Sequence, residues 1–444
     1  MTASISVITP THDPKFIAEA WQSLRDQGDF EWVIFVNHAS GDVNKIDALA
    51  AEVRLAVGDT DERVRVCVDA TPFTGVGAVK LAAFSRGTRD VLVELDHDDL
   101  LTPGALDAIR AAFDDPEIGF VYSDGADFEQ GSEGQGHVTY RHDGTRAGWI
   151  AQGFTFRGEV VGGVRPGVYE LPNAFPATAA ALSLIFYAPN HVRAWRRTVY
   201  ESVGGHNPQL TVADDHELMV RTYLATKMKY VPKLLYLYRV TGANTWLQNV
   251  VKIQELTFKL RDEYLERLVL RECELLGMPA YDLGGGIDPR AGWLPVDLRV
   301  PEGNMPGMAI KADLMQPWPF EDNSVGAFRA HDLLEHLPDK MHTMREIHRC
   351  LRPGGWLLSM TPSTDGRGAF QDPTHVSYYN QNSFWYWTRR EQARYIDNTT
   401  IRFQAAQLDS IFPSKWHADN NIPYVRANLV ALKDGYAGPG EQSI

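Results

Sequence analysis

The first half of the chain alternates short apolar runs with segments in which apolar positions recur every three or four residues. Between the first two runs, for example, Ile17, Trp21 and Leu24 mark one face of a predicted helix. The runs are bounded by turn-forming residues and lie at residues 5–8, 31–36, 64–68, 91–95 and 118–122. Strands that alternate with helices predict a mainly parallel sheet of an α/β protein, covered by helices on both faces.

The run at 91–95 leads directly into a group of carboxylates, Asp96, Asp98 and Asp99. Thr102 and Pro103 follow, a pair typical of a helix start. Open α/β sheets bind ligands at the carboxyl ends of their strands, so these acids are expected at a binding site. Mg²⁺ or Mn²⁺ would relieve their mutual repulsion and bind phosphate oxygens. The alternative is an acidic helix start that only complements the helix dipole.

Composition narrows the function further. A length of 444 residues with 44% apolar residues predicts two or three globular domains. The net charge of −14, from 57 acids and 43 bases, argues against broad binding to nucleic acid or anionic membranes. The three cysteines are far apart, and no signal peptide or transmembrane run is found. We therefore expect a cytoplasmic protein without a transmembrane segment.

A series of motifs over roughly residues 4–248 resembles the family-2 glycosyltransferases of GT-A fold. They include Ser-Val-Ile-Thr-Pro-Thr at 6–11, Leu-Asp-His-Asp-Asp at 95–99 and Asp-Asp-His-Glu-Leu at 214–218. Further motifs lie at residues 32–42, 195–205 and 232–239. The resemblance implies an inverting, metal-dependent transfer of a sugar from a nucleotide-sugar donor, first of all a UDP-sugar, to an acceptor hydroxyl.

The resemblance also implies roles for individual residues. Asp215 would be the general base for the acceptor hydroxyl, and Asp96 and Asp98 would bind the donor and a Mn²⁺ or Mg²⁺ ion. The remaining donor-binding residues would be Thr9, Pro10, Thr11 and Asn37. The acceptor-side residues would be Trp195, Gly205, Asp214, Glu217 and Arg221. A solvated, acidic helix start is the alternative for the acids at 214–217.

Position 37 departs from the family pattern. The family often has an acid there that accepts a hydrogen bond from uracil, whereas this chain has Asn37. An asparagine side chain can both accept and donate. Position 37 therefore does not determine which nucleobase the sugar donor carries.

Two long segments shape the domain organisation. Residues 125–176 are rich in glycine and aromatic residues and predict either an acceptor groove or a β-rich excursion with a small core of its own. Residues 249–277 predict one long amphipathic helix. We therefore expect a glycosyltransferase domain at 1–248, a helical linker at 249–278, a second domain at 279–433 and a flexible tail at 434–444.

The second domain resembles class I S-adenosylmethionine (SAM)-dependent methyltransferases over roughly residues 279–388. The resemblance is carried by Tyr-Asp-Leu-Gly-Gly-Gly at 281–286, Val-Asp-Leu at 296–298 and Leu-Arg-Pro-Gly-Gly-Trp at 351–356. The SAM-site residues it implies are Asp282, Gly284, Gly286 and Asp297. Asp297 follows Gly284 by only 13 residues, against about 20 in the usual unit, and prolines interrupt the interval. We therefore predict a Rossmann-like domain that lacks its first helix and has weak or absent methyl transfer, so that SAM binding is doubtful.

Several other features of this domain leave alternatives open. His331 and Glu335 are spaced to share a helix face, with His336 adjacent and His375 later in the chain. These residue types ligate metals, but packing between a helix and a loop is the favoured interpretation. Residues 376–391 are dense in aromatic side chains and belong either to a core or to a homodimer surface.

The combined prediction is a metal-dependent glycosyltransferase fused to a degenerate methyltransferase-like domain that serves as a scaffold or recognises the acceptor. The acceptor would be a glycan, a protein or a small molecule, and a modified nucleobase is the less expected case. One alternative is a bifunctional enzyme that also methylates a sugar hydroxyl. Another is a non-catalytic binding module of a glycan or phage modification system.

Overall fold

The computed structural model describes residues 3–58, 61–129, 150–151, 153–185, 188–241, 244–286, 290–299 and 309–440. The chain divides into two compact units, Met1–Tyr264 and Leu265–Ile444, and each is described by itself. The long helix predicted as a linker contains the boundary between them.

The first unit is built on an eight-stranded mixed sheet. In chain order its strands are β1 (Ile5–Thr11), β2 (Glu31–Val36), β3 (Val64–Val68), β4 (Val91–Glu94), β5 (Leu100–Leu101), β6 (Ile118–Glu129), β9 (Arg193–Arg196) and β10 (Lys227–Val240). Their spatial order is β3-β2-β1-β4-β9-β6-β10-β5. The first four are parallel, whereas β9 runs antiparallel between β4 and β6. This insertion brings the beginning of β9 next to the acidic stretch after β4.

The helices of this unit pack their apolar faces on the sheet. In chain order they are α1 (Ile17–Leu24), α2 (Val43–Val57), α3 (Val76–Phe84), α4 (Ala105–Ala112), α5 (Ala179–Leu184), α6 (Arg197–Ser202), α7 (Asp214–Ala225) and α8 (Thr245–Leu276). Strand β2 is buried along its whole length, as expected for a strand of a parallel sheet covered on both faces. The core between the sheet and α1, α2 and α4 includes Ile17, Trp32, Ile46 and Leu106.

Helix α4 begins later than predicted. It starts at Ala105 with Gly104 at the N-cap, so the expected start at Thr102 and Pro103 is wrong. The Thr102 hydroxyl instead donates to the Leu234 carbonyl at 2.8 Å, a bond to β10 that draws the chain away from helical geometry.

The segment at 125–176 contains a hairpin of β7 (Phe156–Val161) and β8 (Gly167–Pro172). Tyr169 and Leu171 of the hairpin pack with Phe128 and Leu234 in a small separate core. This packing agrees with a β-rich excursion, and part of the segment lies outside the described residues.

The second unit contains a seven-stranded sheet in the order β13-β12-β11-β14-β15-β17-β16. Its strands are β11 (Ala280–Leu283), β12 (Leu294–Asp297), β13 (Ile310–Lys311), β14 (Val325–His331), β15 (Leu351–Pro362), β16 (Phe403–Ile411) and β17 (Tyr424–Ala431). Only β17 runs against its neighbours. Besides the C-terminal part of α8, its helices are α9 (Lys340–Cys350), α10 (Gly368–Gln371), α11 (Gln381–Thr388), α12 (Arg390–Ala393) and α13 (Lys415–Asp419), with 3₁₀ turns at Leu334–His336 and Arg394–Ile396.

Two sequence predictions about this unit can be compared with the structure. Between β11 and β12 the described residues form turns and no helix, which confirms a Rossmann-like domain without its first helix. His331 ends β14 and Glu335 lies in a 3₁₀ turn, so the prediction that they share a helix face is wrong. The tight turn at Asp332, with φ of +50°, ends the helical register expected between them.

Helix α8 is continuous in outline but kinked at Asn249, whose backbone is not helical. Among the described helices, none combines the length and apolar character that crossing a bilayer requires.

Candidate active site

The parallel strands of the first unit bring four chain segments to one edge of the sheet. β1 ends at Thr11, β2 leads into Asn37, β3 leads into Asp69, and β4 leads into Asp96. The backbone nitrogen of Asn37 donates to the Thr11 carbonyl at 3.1 Å, which joins the ends of β1 and β2. The predicted donor-binding segments therefore share the carboxyl edge where α/β sheets bind ligands.

The acidic loop after β4 is anchored through its last acid. Asp99 is buried and accepts hydrogen bonds from the Tyr236 hydroxyl and the Arg239 backbone nitrogen, both at 2.7 Å. The Tyr236 hydroxyl also accepts from the Asp96 backbone nitrogen at 3.1 Å. The Arg239 guanidinium donates to the Asp98 carbonyl at 2.6 Å. Asp99 thus anchors the loop to β10, whereas Asp96 and Asp98 are partly exposed.

A row of alternating charges connects this loop to helix α7. Lys80 of α3 lies 3.7 Å from Asp96 and 2.5 Å from Glu94. Arg193, at the start of β9, lies 3.6 Å from the other oxygen of Glu94 and 2.5 Å from Asp215. Since β9 is adjacent to β4, the predicted metal motif and the predicted base face the same small region.

Opposite charges stabilise Asp215 and Lys80 in this row, whereas burial and the neighbouring carboxylates of Glu94 and Asp98 raise the pKa of Asp96. Burial by itself raises the pKa of Asp215, but Arg193 and Lys80 outweigh it, and the pKa falls well below the usual carboxyl range. Burial lowers the pKa of Lys80, but Asp96 and Glu94 outweigh that effect and raise it. Both groups are therefore ionised at neutral pH.

The donor atoms near the acidic loop are those that a hard divalent cation takes as ligands. The Asp98 carboxylate is partly exposed, and within the described residues no hydrogen bond to it is found. Glu94, Asp96 and His191 form a group of ligand atoms within 4.8 Å of one another, and Glu94 Oε2 and His191 Nε2 are buried without a hydrogen-bond partner. Carboxylate oxygens suit Mg²⁺ and Mn²⁺, so the residues present fit such an ion.

Two of the predicted acceptor-side residues are part of the core. Trp195 is completely buried, and its indole nitrogen donates to Thr222 Oγ1 at 3.1 Å. Gly205 is buried with φ of +64°, and a Cβ there would lie 2.8 Å from side-chain atoms of Leu81 and Tyr200. Neither residue can contact an acceptor in this structure, because both are enclosed by neighbouring side chains.

The other three acceptor-side residues are also held by internal contacts. Asp214 is 3% exposed and lies 2.8 Å from His206 Nδ1. Glu217 binds Arg221 through two hydrogen bonds, at 2.7 and 2.5 Å, and Arg221 donates to the Gly205 carbonyl at 2.8 Å. These pairs connect α7 to the turn that precedes it, and the acceptor-side role of the three residues stays a prediction.

The donor-side residues differ in what they offer. Thr9 is buried, and its hydroxyl accepts from the Trp32 indole nitrogen at 2.9 Å. The Thr11 hydroxyl donates to the Asp13 carbonyl at 2.9 Å. Pro10, which lies between Thr9 and Thr11 in the chain, is partly exposed. Asn37 Nδ2 donates to the carbonyls of residues 69 and 71 at 2.8 and 2.9 Å. Both amide hydrogens of Asn37 are thus used, which leaves its oxygen as the acceptor.

The predicted SAM-site residues of the second unit bond to, or pack against, neighbouring residues of the protein itself. Asp297 accepts from the backbone nitrogens of Arg299 and Gly286 at 2.8 and 3.2 Å. A Cβ at Gly286 would lie 2.5 Å from the Cβ of Asp297, so the glycine turn packs directly on this acid. Asp282 is buried and binds Arg329 Nη1 at 2.9 Å. Gly284 supplies the positive-φ position of the turn, with φ of +79°.

Two basic residues of the site were not predicted. Lys80 lies in a helix without a recognisable motif, and its only signal is that it is a charged residue in an otherwise apolar segment. Arg193 lies two residues before the motif at 195–205 and is one of three arginines between residues 193 and 197, so no signal in the sequence marks it.

Comparison with family models agrees with the two resemblances. Residues 6–163 match the model described as Glycosyl transferase family 2, and residues 286–359 match the model described as Methyltransferase domain. The first unit is thus a glycosyltransferase domain with a GT-A fold. The second unit carries a methyltransferase-like domain.

Solved structures give looser similarity. Staphylococcus aureus TarS 1-349 in complex with UDP-GlcNAc is 14% identical, with 66% of this chain and 78% of that chain covered and a TM-score of 0.40. The mannosyltransferase PcManGT from Pyrobaculum calidifontis, in complex with GDP-Man and Mn²⁺, is 16% identical, with 62% and 73% covered and a TM-score of 0.39. Comparison with curated protein sequences gives no match.

Proposed function

We propose that this protein is an inverting glycosyltransferase that moves a sugar from a nucleotide-sugar donor to an acceptor hydroxyl. The observation that carries the proposal is the row of charges from Asp96 through Lys80, Glu94 and Arg193 to Asp215. The row links Asp96, the proposed donor-side carboxylate, to Asp215, the proposed base. This link supports an in-line displacement, which requires groups on both sides of the anomeric carbon.

Asp215 is the proposed general base. Its side chain is 28% exposed, whereas that of the adjacent Asp214 is enclosed and paired with His206. Arg193 keeps Asp215 ionised and fixes one carboxylate oxygen at 2.5 Å. The carboxylate would accept the proton of the acceptor hydroxyl while the acceptor oxygen attacks the anomeric carbon and the nucleoside diphosphate leaves on the opposite face.

Asp96 and Asp98 are the proposed ligands of a divalent cation, Mn²⁺ or Mg²⁺. When bound, such an ion supplies positive charge beside the departing diphosphate. Lys80 adds a fixed positive charge on the same side, because it lies 3.7 Å from Asp96.

Asn37 supports a uracil donor. With its amide hydrogens bound to backbone carbonyls, its oxygen can accept from the N–H on the pairing edge of uracil. The corresponding edge of cytosine presents an acceptor nitrogen, which would face this oxygen without a hydrogen. We therefore propose a UDP-sugar ahead of a CDP-sugar.

The methyltransferase-like domain is proposed to bind no SAM and to act as a scaffold or in recognition of the acceptor, which would be a glycan, a protein or a small molecule. Support comes from Asp297, whose two carboxylate oxygens each already accept a hydrogen bond from a backbone nitrogen, of residue 286 and of residue 299. Isothermal titration of the full chain with SAM is expected to give no saturable heat. Saturable binding at micromolar SAM would refute this part and favour the bifunctional enzyme.

A screen of nucleotide sugars tests the main proposal. A bound donor stabilises the native state by mass action, so one UDP-sugar is expected to raise the melting temperature in the presence of Mn²⁺ or Mg²⁺ and to be turned over. Asp98→Ala should lose both effects, whereas Asp107→Ala, a change at an exposed acid of α4, should keep them. A screen in which no nucleotide sugar shifts the melting temperature or reacts would overturn the proposal.

A further inference from the structure

One group of possible metal ligands lies in the second unit, whereas the proposed transfer site lies in the first. Glu335 and His336 come from the 3₁₀ turn after β14, and His375 comes from the segment after α10. Their ligand atoms lie within 4.8 Å of one another. The glycosyltransferase activity proposed above makes no use of them.

Hydrogen bonds to backbone carbonyls join the two segments. The nitrogens of Val376 and Ser377 both donate to the Glu335 carbonyl at 2.9 Å. The Ser377 hydroxyl donates to the Leu337 carbonyl at 2.6 Å. These bonds hold His375 over Glu335, although 40 residues separate them in the sequence. The position of the three side chains is therefore set by the main chain before any ligand binds.

Both histidines are oriented through their far nitrogens. His375 Nδ1 lies 3.0 Å from the Ala369 carbonyl, and His336 Nδ1 lies 3.2 Å from the Thr374 carbonyl. A carbonyl accepts only, so His375 Nδ1 carries the hydrogen and its Nε2 presents a lone pair. His336 Nδ1 also lies 3.2 Å from the Thr374 hydroxyl, which donates to Asp372 at 2.6 Å and therefore acts as a second acceptor. The Nδ1 of His336 thus carries the hydrogen as well. Backbone carbonyls play this same part behind metal-binding histidines in proteins.

The carboxylate is prepared in a similar way. Glu335 is 2% exposed, and its Oε2 accepts from the Thr361 hydroxyl at 2.6 Å. Its Oε1 is buried without a hydrogen-bond partner and lies 4.0 Å from His375 Nε2. That distance is too long for a hydrogen bond, so the two atoms face each other with a lone pair on each. A cation between the two atoms would satisfy both.

We propose that Glu335, His336 and His375 form a binding site for a divalent transition-metal ion such as Zn²⁺. Two imidazoles with one carboxylate favour such an ion over Mg²⁺ or Ca²⁺, which take oxygen ligands. Metal–ligand bonds of about 2.0–2.2 Å require the three side chains to close in by rotation, which the partly exposed His336 allows. Three protein ligands leave a coordination position for water or an oxygen of a small ligand.

The test is a titration of metal-free full-length protein with Zn²⁺, by calorimetry and by metal analysis after dialysis. Excess Mg²⁺ and the Asp98→Ala background keep the proposed donor site out of the measurement. We expect one Zn²⁺ per chain. His336→Gln and His375→Gln should each raise the dissociation constant at least 100-fold, since loss of an outer-shell partner alone costs about 10–100-fold. His417→Gln on α13 is the control and should bind as the parent does.

Circular dichroism and the melting temperature without metal establish that each variant folds. If His375→Gln fails to fold because its tie to Ala369 is lost, His336→Gln decides the matter. Unchanged Zn²⁺ binding in His336→Gln, or no saturable binding by the parent, would overturn the proposal. Binding that is lost in His417→Gln as well would also overturn it, because it would mark general binding to surface histidines.

Discussion

The adjacent acids Asp214 and Asp215 give the sharpest test of the proposed mechanism. Substitution of Asp215 by asparagine keeps the shape of the side chain and removes the base. Asp215 accepts from Arg193 through Oδ2 and from the His216 backbone nitrogen through Oδ1, at 2.5 and 2.8 Å. Asparagine has one acceptor oxygen, so it can keep only one of these two bonds.

The expected loss of reaction rate in Asp215→Asn is larger than the expected loss of folding stability, so the two effects can be distinguished. A lost hydrogen bond to a partly exposed group destabilises the protein by about 1–2 kcal/mol. Loss of a general base slows the reaction by about 10²–10⁴-fold, equivalent to about 2.7–5.4 kcal/mol in the activation free energy. The rate should therefore fall by much more than stability can explain, while the KM for the donor changes little.

Asp214→Asn is the matched control one residue away. Asp214 is buried against His206, so its substitution is expected to cost about 1–3 kcal/mol of stability and less than tenfold in turnover. The assay is the initial rate of nucleoside diphosphate release, run beside urea unfolding of both variants. If Asp215→Asn keeps more than a tenth of the turnover while Asp214→Asn loses 100-fold at an unchanged unfolding midpoint, the assignment of the base is wrong.

Three further predictions follow from the same contacts. Lys80→Met removes one of the two cations beside the buried Glu94, so it should lower the free energy of unfolding by about 3–5 kcal/mol in urea titrations. Adding Glu94→Gln should recover part of this loss. An unchanged unfolding midpoint in Lys80→Met would contradict the ion pair. Asn37→Asp should cost about 1–3 kcal/mol in the same assay, because a carboxylate cannot donate to the two backbone carbonyls that Asn37 binds; no loss would mean that the amide is not oriented as described. Arg193 lowers the pKa of Asp215, so the base form persists as the pH falls and is lost only below the usual carboxyl range. The acidic limb of kcat/KM should therefore lie below about pH 4. It should move upward in Arg193→Lys, because the shorter lysine side chain presents a single nitrogen and pairs less closely; a limb that stays in place would argue against the coupling.

Much of the scaffold was predictable because its signals are local. Apolar runs of strand length followed by polar turns indicated the parallel strands that are observed, and the acids after β4 were identified from their place at a strand end. Parallel strands always deliver their carboxyl ends to one edge of a sheet. The positions of Asp96, Asp98 and Asn37 at that edge therefore follow from the order of elements alone. The missing helix after β11 was likewise predictable from prolines and a short interval.

Residue roles that depend on long-range neighbours were not predictable. Trp195 belongs to a motif assigned to the acceptor, yet it is core, because β9 inserts between β4 and β6 and buries both faces at this point. Helix spacing placed His331 beside Glu335, and a single turn at Asp332 removed that relation.

The two domain types, the strand ends that carry the acids and the missing helix are each encoded within a few neighbouring residues, so local patterns were enough to predict them. Which charged side chains meet depends on how distant segments fold together. Lys80 and Arg193 are 113 residues apart in the chain and share Glu94 because of the strand order, and His375 reaches Glu335 because two backbone hydrogen bonds join distant segments. Such pairings depend on the whole sheet, and no local pattern of hydrophobic and polar residues encodes them.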